Sequence, residues 1–360
     1  MGFDGYTVPE EFKKSIQEFN LGGTIYFRRN AESPVQLAML SNSLQLDCRR
    51  KDSPPLLISI DHEGGKVNRL SPPFTQFPGM NLIGEIGSAK LAFHLGMAIG
   101  DELAAIGVNV DFAPVADVLT NPKNPIMSGR AFSSDPQVCA RMGSGVCRGL
   151  QKSKVAAVAK HFPGHGDTSE DSHLTLPVVE RSLADSEKIE FVPFRKLIRS
   201  RVEAIMTAHL INKSLDPDLP ATLSPKIIND ILRAQIRFQR VVFSDDMEMK
   251  AITDNFGVEE SAVMAIQAGC DMLIYRGDSG FPVAAYEALV RAVENKKISK
   301  ERIEVSYQRI LNLKKSYATQ ERPLEMAQLE KKIGTPEHLA LAEAILKKEM
   351  PDFLDGEEEE

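Results

Sequence analysis

The 360-residue sequence is poor in cysteine, and its four cysteines (Cys48, Cys139, Cys147 and Cys270) form no CxxC or paired motif. Cys139 and Cys147 share one helical stretch but stand eight residues apart, beyond disulfide reach. They read as buried free thiols in a reducing compartment. No run of 18 apolar residues occurs, which excludes a transmembrane helix. The N-terminus lacks a basic segment followed by an apolar one, so no secretory signal is read there. The expected location is cytoplasmic. Excess positive charge is also missing: the formal charge is -7. Six acidic side chains (Asp352, Asp355 and Glu357 to Glu360) crowd the last nine residues, and without them the body carries about -1. Such a balance offers no footprint for nucleic acid or an anionic membrane. No glycine-rich fingerprint follows the first apolar run, which argues against a doubly wound dinucleotide-binding sheet.

What is present is a regular alternation. Short apolar, β-branched runs at 22–27 (GGTIYF), 56–61 (LLISID), 108–112, 156–161, 204–209, 241–245 and 272–275 read as strands. Amphipathic stretches near 34–50, 87–106, 135–152, 186–200, 224–235, 257–269 and 280–295 read as helices. Strand, helix, strand, helix is the pattern of a parallel sheet. Seven such strands, with the N-terminal MGFDGY segment as an eighth unit, predict an α/β fold of the (β/α)8 TIM-barrel type in one domain. Acidic and basic residues also end many different strands, as they do where barrel strands share one mouth. The expected division is a catalytic barrel over 1–320, a C-terminal helical extension over 321–350 and an acidic disordered tail over 351–360.

The densest polar cluster is KHFPGHGDT (residues 160–168), followed by Asp171, Ser172 and His173. His161 and His165 would share a face only on a helix. Pro163, Gly164 and Gly166 forbid one, so the segment reads as a glycine-hinged loop after a strand and not as a metal site. Hydrogen bonds that order the loop are a sufficient role for His165. Asp171 and His173 suit a dyad in which a carboxylate raises imidazole basicity and fixes its tautomer. At the end of the sixth apolar run stand Asp245 and Asp246. Adjacent side chains on extended backbone point apart, so one is expected in the mouth and the other as a cap. Asp61 ends a second strand with Arg69 close behind, and Arg130 lies in a GRAF element. Arginine and carboxylate acceptors orient the vicinal hydroxyls of a sugar, although either arginine alone could equally be an ordinary ion pair.

Taken together, the segments GGTIYFRRN, IDHEGGKVNRL, DFAPVADV, GRAFSSDP, KHFPGHGDTSEDSHLTLP, PFRKLI, IMTAHL, PATLS, FSDDMEM and AIQAGCDM resemble the family-three glycoside hydrolases that act as β-N-acetylglucosaminidases. The lack of a second domain is similar to the compact bacterial members that recycle cell-wall muropeptides. The resemblance implies a (β/α)8 barrel and a retaining, two-step release of terminal β-linked N-acetylglucosamine. Asp245 would be the nucleophile, His173 the general acid/base and Asp171 its support. Asp61, Arg69, Arg130, Lys160 and His161 would bind the sugar. It implies no cofactor, a small glycan as partner and a monomer. His62 stands where glutamine is common, Lys66 where arginine is common and Met247-Glu248 where Leu-Ser is common. Only Met1 precedes the GFDG element, so either the first strand is very short or the start lies upstream, where a signal would change the expected location.

Other readings stay open on the sequence. The same fold could act on β-glucosides or β-xylosides, although the DSH element favours N-acetylglucosamine. It could also use phosphate in place of water, since a histidine repels incoming phosphate less than a carboxylate does. A non-catalytic sugar-binding barrel belongs to a different class, and the presence of both Asp245 and His173 argues against it.

Overall fold

Seven apolar runs pair in chain order, each with the next: β1 (Gly23–Tyr26), β2 (Leu57–Ile60), β3 (Val110–Asp111), β4 (Ala156–Phe162), β5 (Ala204–Thr207), β6 (Val241–Asp246) and β7 (Met272–Ile274). Every pairing in this sheet is parallel. The computed structural model describes residues 1–172, 174–277, 280–319 and 324–354. The two edges of the sheet meet at the N-terminus. Ile25 N donates to the Met1 carbonyl (3.3 Å), and Gly2 N donates to the Tyr275 carbonyl (2.8 Å). Met1 and Gly2 thus occupy the gap between β7 and β1 and complete a (β/α) barrel.

The helices pack around this ring: α1 (Glu10–Phe19), α2 (Pro34–Asn42), α3 (Ala89–Ala105), α4 (Pro136–Lys152), α5 (Phe191–Arg199), α6 (Val258–Ala268), α7 (Phe281–Glu294) and α8 (Lys300–Tyr317). Their starts follow local chemistry. Ser33, Ser88, Asp135 and Ser299 each accept a backbone N–H of the first turn, satisfying donors the helix itself cannot. Pro34 and Pro136 follow two of these caps, where the missing N–H costs nothing. Before β6 the expected helix forms as Lys226–Gln235, but with wide turns: Ile236 N reaches back five residues to Ile231 O (2.8 Å). A second feature was not legible in the sequence, a small parallel ladder of Val178–Val179 with Ile211–Asn212.

Side-chain parity divides the core in two. Ile25, Leu57, Val110, Ala156, Val158, Ala204, Met206, Val241, Phe243 and Ile274 pack together inside the ring, with Leu313 of α8 beneath them. The alternate residues Ile58, Ile60, Ala157, Ala159, Ile205 and Val242 join the helices in the outer core. Successive strand side chains face opposite ways. The next inward position after Ala156 and Val158 is therefore Lys160; after Val241 and Phe243 it is Asp245. The apolar filling stops there and polar chemistry begins, at the C-terminal ends of the strands.

Residues 324–354 pack on the same outer core through Leu329, Ile333, Leu341, Ile345 and Leu354, with Leu341 and Ile345 on α9 (Pro336–Lys347). Glu102 of α3 fastens this segment: its Oε1 accepts from Gly334 N (3.0 Å) and meets His338 Nδ1 (2.9 Å). No helix among the described residues is long and apolar enough to cross a membrane.

Candidate active site

Asp61 follows β2, and its Oδ1 lies 2.6 Å from Lys160 Nζ. Lys160 Nζ is also 2.6 Å from Glu63 Oε1. Glu63 in turn takes the fork of Arg130, Nε on Oε2 and Nη2 on Oε1, both at 2.8 Å. Arg69 Nη2 stands 3.8 Å from Asp61 Oδ2. Segments 67 to 99 residues apart in sequence are so joined into one charged wall. Burial works against charge here, but pairing outweighs it. For Lys160, desolvation lowers the pKa while Asp61 and Glu63 raise it further, so the ammonium is held above its ordinary range. Glu63 is pressed the other way: burial favours the neutral form, and Arg130 and Lys160 nevertheless keep it far below the carboxylate range.

The second wall is built on Asp117. Its buried carboxylate accepts His161 N (3.2 Å) and His165 N (2.6 Å), and its Oδ2 is 2.7 Å from His161 Nδ1. The carboxyl pKa is lowered despite burial, chiefly by His161. Beyond Phe162 the chain leaves β4 and lies flat on the loop after β3. A Cβ on Gly166 would stand 1.8 Å from the Val118 carbonyl, so only glycine allows that approach, and Gly164 sits at a φ of +129°. Asn124 Nδ2 donates to the His165 carbonyl (2.9 Å), Asn121 Nδ2 to the Thr168 carbonyl (3.1 Å), and Thr120 Oγ1 to Asp167 (2.9 Å). This loop brings Ser172 to the same cavity as Asp61, Lys160, His161 and Asp245. Asp171 is half-buried beside it, and its carbonyl accepts Leu174 N (2.9 Å) and Thr175 N (3.0 Å). His173 lies outside the described residues.

Asp245 closes the cavity from β6. Burial pushes its carboxyl up, but His209, His161, the Asp246 amide and Lys160 pull harder, and its pKa falls below the usual value. The amide of Asp246 donates to Asp245 Oδ1 (2.8 Å), and His209 Nε2 is bound 2.9 Å from the Asp246 carbonyl. Asp246 behaves differently. Its Oδ1 accepts Glu248 N (3.0 Å), its Oδ2 meets Arg276 Nε (3.1 Å), and burial raises its pKa to about 7. One aspartate faces the mouth ionised, while its neighbour caps a turn. The capped turn is 246–249, and the helix after it starts from Met249. Asp246 still reaches a second compartment, which shares Asp61, Arg69 and Asp245 with the first and adds Phe27, Met249 and Arg276.

Of the eight residues the sequence singled out, the fold brings Asp61, Arg69, Arg130, Lys160, His161 and Asp245 to one cavity; Asp171 does not line it, and His173 lies outside the described residues. It missed Glu63, Asp117 and His209, while the loop-ordering role read for His165 matches its bonds to Thr168 (2.9 Å) and Ser172 (3.0 Å). Glu63 was readable in principle, as an acid two residues after a strand-ending Asp61 and before two glycines. Asp117 and His209 act through contacts made 44 and 37 residues away, which no local spacing encodes.

A chemist would read this mouth as a site for a neutral polyol: carboxylates and cations alternate around it, and Asp245 is kept charged with no arginine or lysine among the described residues in an ion pair with it. Comparison with known proteins agrees. Residues 4–313 match the family described as glycosyl hydrolase family 3 N terminal domain. The chain is 39% identical over 280 residues to a beta-hexosaminidase of Nitrosomonas eutropha, spanning 76% of this chain and 79% of that one. It superposes on a family 3 beta-N-acetylglucosaminidase from Paenibacillus sp. with a TM-score of 0.90 and 41% identity, covering 96% of this chain and 66% of that one. NagZ from Neisseria gonorrhoeae, solved in complex with N-trifluoroacetyl-D-glucosamine, gives a TM-score of 0.77 at 29% identity and 97% coverage of both chains.

Proposed function

Since the chain belongs to glycosyl hydrolase family 3, we propose that it is a glycosidase that releases terminal β-linked N-acetylglucosamine from small glycans such as muropeptide fragments. The observation that carries this reading is Asp245, an ionised carboxylate at the inward end of β6, facing the same cavity as Asp61, Arg130, Lys160 and His161. A carboxylate so placed attacks the anomeric carbon, and a glycosyl ester to Asp245 forms. Asp61 and Lys160 orient the sugar hydroxyls, with Arg69, Arg130 and His161 completing the ring of donors and acceptors. Holding the sugar in one geometry converts the attack into a unimolecular step.

In the first step His173 donates its proton to the glycosidic oxygen as the aglycone leaves. In the second it accepts a proton from the water that cleaves the ester, and Asp171 supports the cationic form. Two inversions at the same carbon leave the product in the β configuration. A chromogenic β-N-acetylglucosaminide tests the reading. Release of the chromophore, with no comparable release from the matching β-glucoside or β-xyloside, is the expected result. Turnover of the glucoside alone would overturn the assignment of substrate.

A further inference from the structure

Ser172 sits between the two residues assigned to proton transfer, yet its own side chain is turned inward and is only 2% exposed. Its Oγ lies 3.0 Å from His165 Nε2. His165 is an unyielding partner. Its amide is bound to Asp117 (2.6 Å), its carbonyl to Asn124 Nδ2 (2.9 Å), and its Nδ1 lies 2.9 Å from Thr168 Oγ1. Thr168 Oγ1 donates to the His165 carbonyl (3.1 Å) and accepts from Asn124 Nδ2 (3.1 Å). Its remaining lone pair takes the proton of Nδ1, which leaves Nε2 as acceptor and the Ser172 hydroxyl as donor. Burial lowers the His165 pKa to about 4, so the ring is neutral and keeps that lone pair near neutral pH.

The contact ties the tip of a long loop to the floor of the cavity. From Asp117 the path runs through His165 to Ser172, and Ser172 is flanked directly by Asp171 and His173. On the far side, the Asp171 carbonyl gathers the amides of Leu174 and Thr175 into one turn. We propose that Ser172 is a positioning residue whose hydroxyl, anchored on His165, sets the depth at which the acid/base turn enters the cavity. The proposal rests on the reading of His173 as acid/base. Ser172 itself exchanges no proton with substrate; it acts by placing its neighbours.

The test uses Ser172→Ala, His173→Ala and the double variant, each assayed on an aryl glycoside with an activated leaving group and on a chitobiose-type substrate with a poor one. Losing one hydrogen bond to a neutral acceptor is expected to lower kcat on the poor leaving group about tenfold. KM and the activated substrate should change less than about twofold, because that aglycone departs with little protonation. In the His173→Ala background, Ser172→Ala should add nothing. Ser172→Cys, which keeps a weaker donor at the same place, should recover part of the loss. Equal losses on both substrates, or a loss that adds to that of His173→Ala, would overturn the proposal and make Ser172 a substrate contact or a packing residue. If His173→Ala itself shows no leaving-group dependence, the acid/base reading fails. If it does and Ser172→Ala does not, only the anchoring role fails.

Discussion

Glu63→Gln keeps the shape of the residue that joins Lys160 to Arg130 and removes its charge. Glu63 Oε1 is 2.6 Å from Lys160 Nζ, and both side chains are almost sealed from solvent, at 1% and 2% exposure. Arg130, its other partner at 2.8 Å, is 12% exposed. After the substitution Asp61 is the carboxylate left in contact with Lys160, and the fork of Arg130 faces an amide. Breaking a buried pair by neutralising one partner costs about 3–5 kcal/mol, because a charge is left uncompensated. Unfolding entropy of about 2.1 cal/mol/K per residue gives a 360-residue chain about 0.8 kcal/mol/K. The expected fall in Tm is therefore about 4–6 °C. Lys160 also loses one of its two anchors, so kcat/KM should fall on the order of 100-fold.

The pH dependence of that gap has a defined sign. The folded-state pKa of Glu63 lies far below its ordinary value, so the stabilisation is fully present above the unfolded carboxyl pKa of about 4.3. The Tm gap between wild type and Glu63→Gln should stay flat from neutral pH to about pH 5 and narrow only in stronger acid. Thermal melts across pH, with kinetics on an aryl N-acetylglucosaminide, make the test. An unchanged Tm with intact kcat/KM would refute the idea that Glu63 holds the charged wall together.

His62 gives the opposite sign. Burial lowers its pKa to about 4, so between there and the unfolded value near 6.5 the unfolded chain binds the extra proton and stability is lost as pH falls. His62→Gln should remove about 2 kcal/mol of that acid sensitivity at pH 5, seen as denaturation curves that converge less between pH 7 and pH 5 in wild type than in the variant; identical pH slopes would contradict it. Replacing His173 by Ala should reduce turnover of poor leaving groups far more than of activated ones. Asp171→Ala should act in the same direction more weakly and lower the upper pH limit of kcat; an unchanged pH profile would separate Asp171 from the proton transfer.

Much of the barrel was legible because strand and helix differ in the period of their apolar residues. The period-two parity that packs Val158 inside the ring also aims Lys160 into the mouth, and the same holds for Phe243 and Asp245. What was hidden has a common cause. Asp117 supports His161 and His165 from 44 and 48 residues away, and Glu63 meets Arg130 across 67. Such partners become neighbours only once the sheet has curled. The closing of the ring by Met1 and Gly2 is equally non-local, since it depends on backbone bonds to Ile25 and Tyr275. The wide-turned helix over Lys226–Gln235 shows the same apolar face as an ordinary α-helix, so its winding left no mark in the pattern.

The central claim is that Asp245, and not its neighbour Asp246, forms the covalent bond to the sugar. A fluorinated β-N-acetylglucosaminide that forms the ester quickly and hydrolyses it slowly should trap that species. Trypsin then cuts after Arg240 and Lys250, placing both aspartates in one ten-residue peptide, 241–250. Fragmentation of the labelled peptide by mass spectrometry assigns the carboxylate. The sugar is expected on Asp245, with no label and a loss of activity on the order of 10³-fold or more in Asp245→Asn. A label on Asp246, or Asp245→Asn protein that still turns over and still labels, would contradict the account.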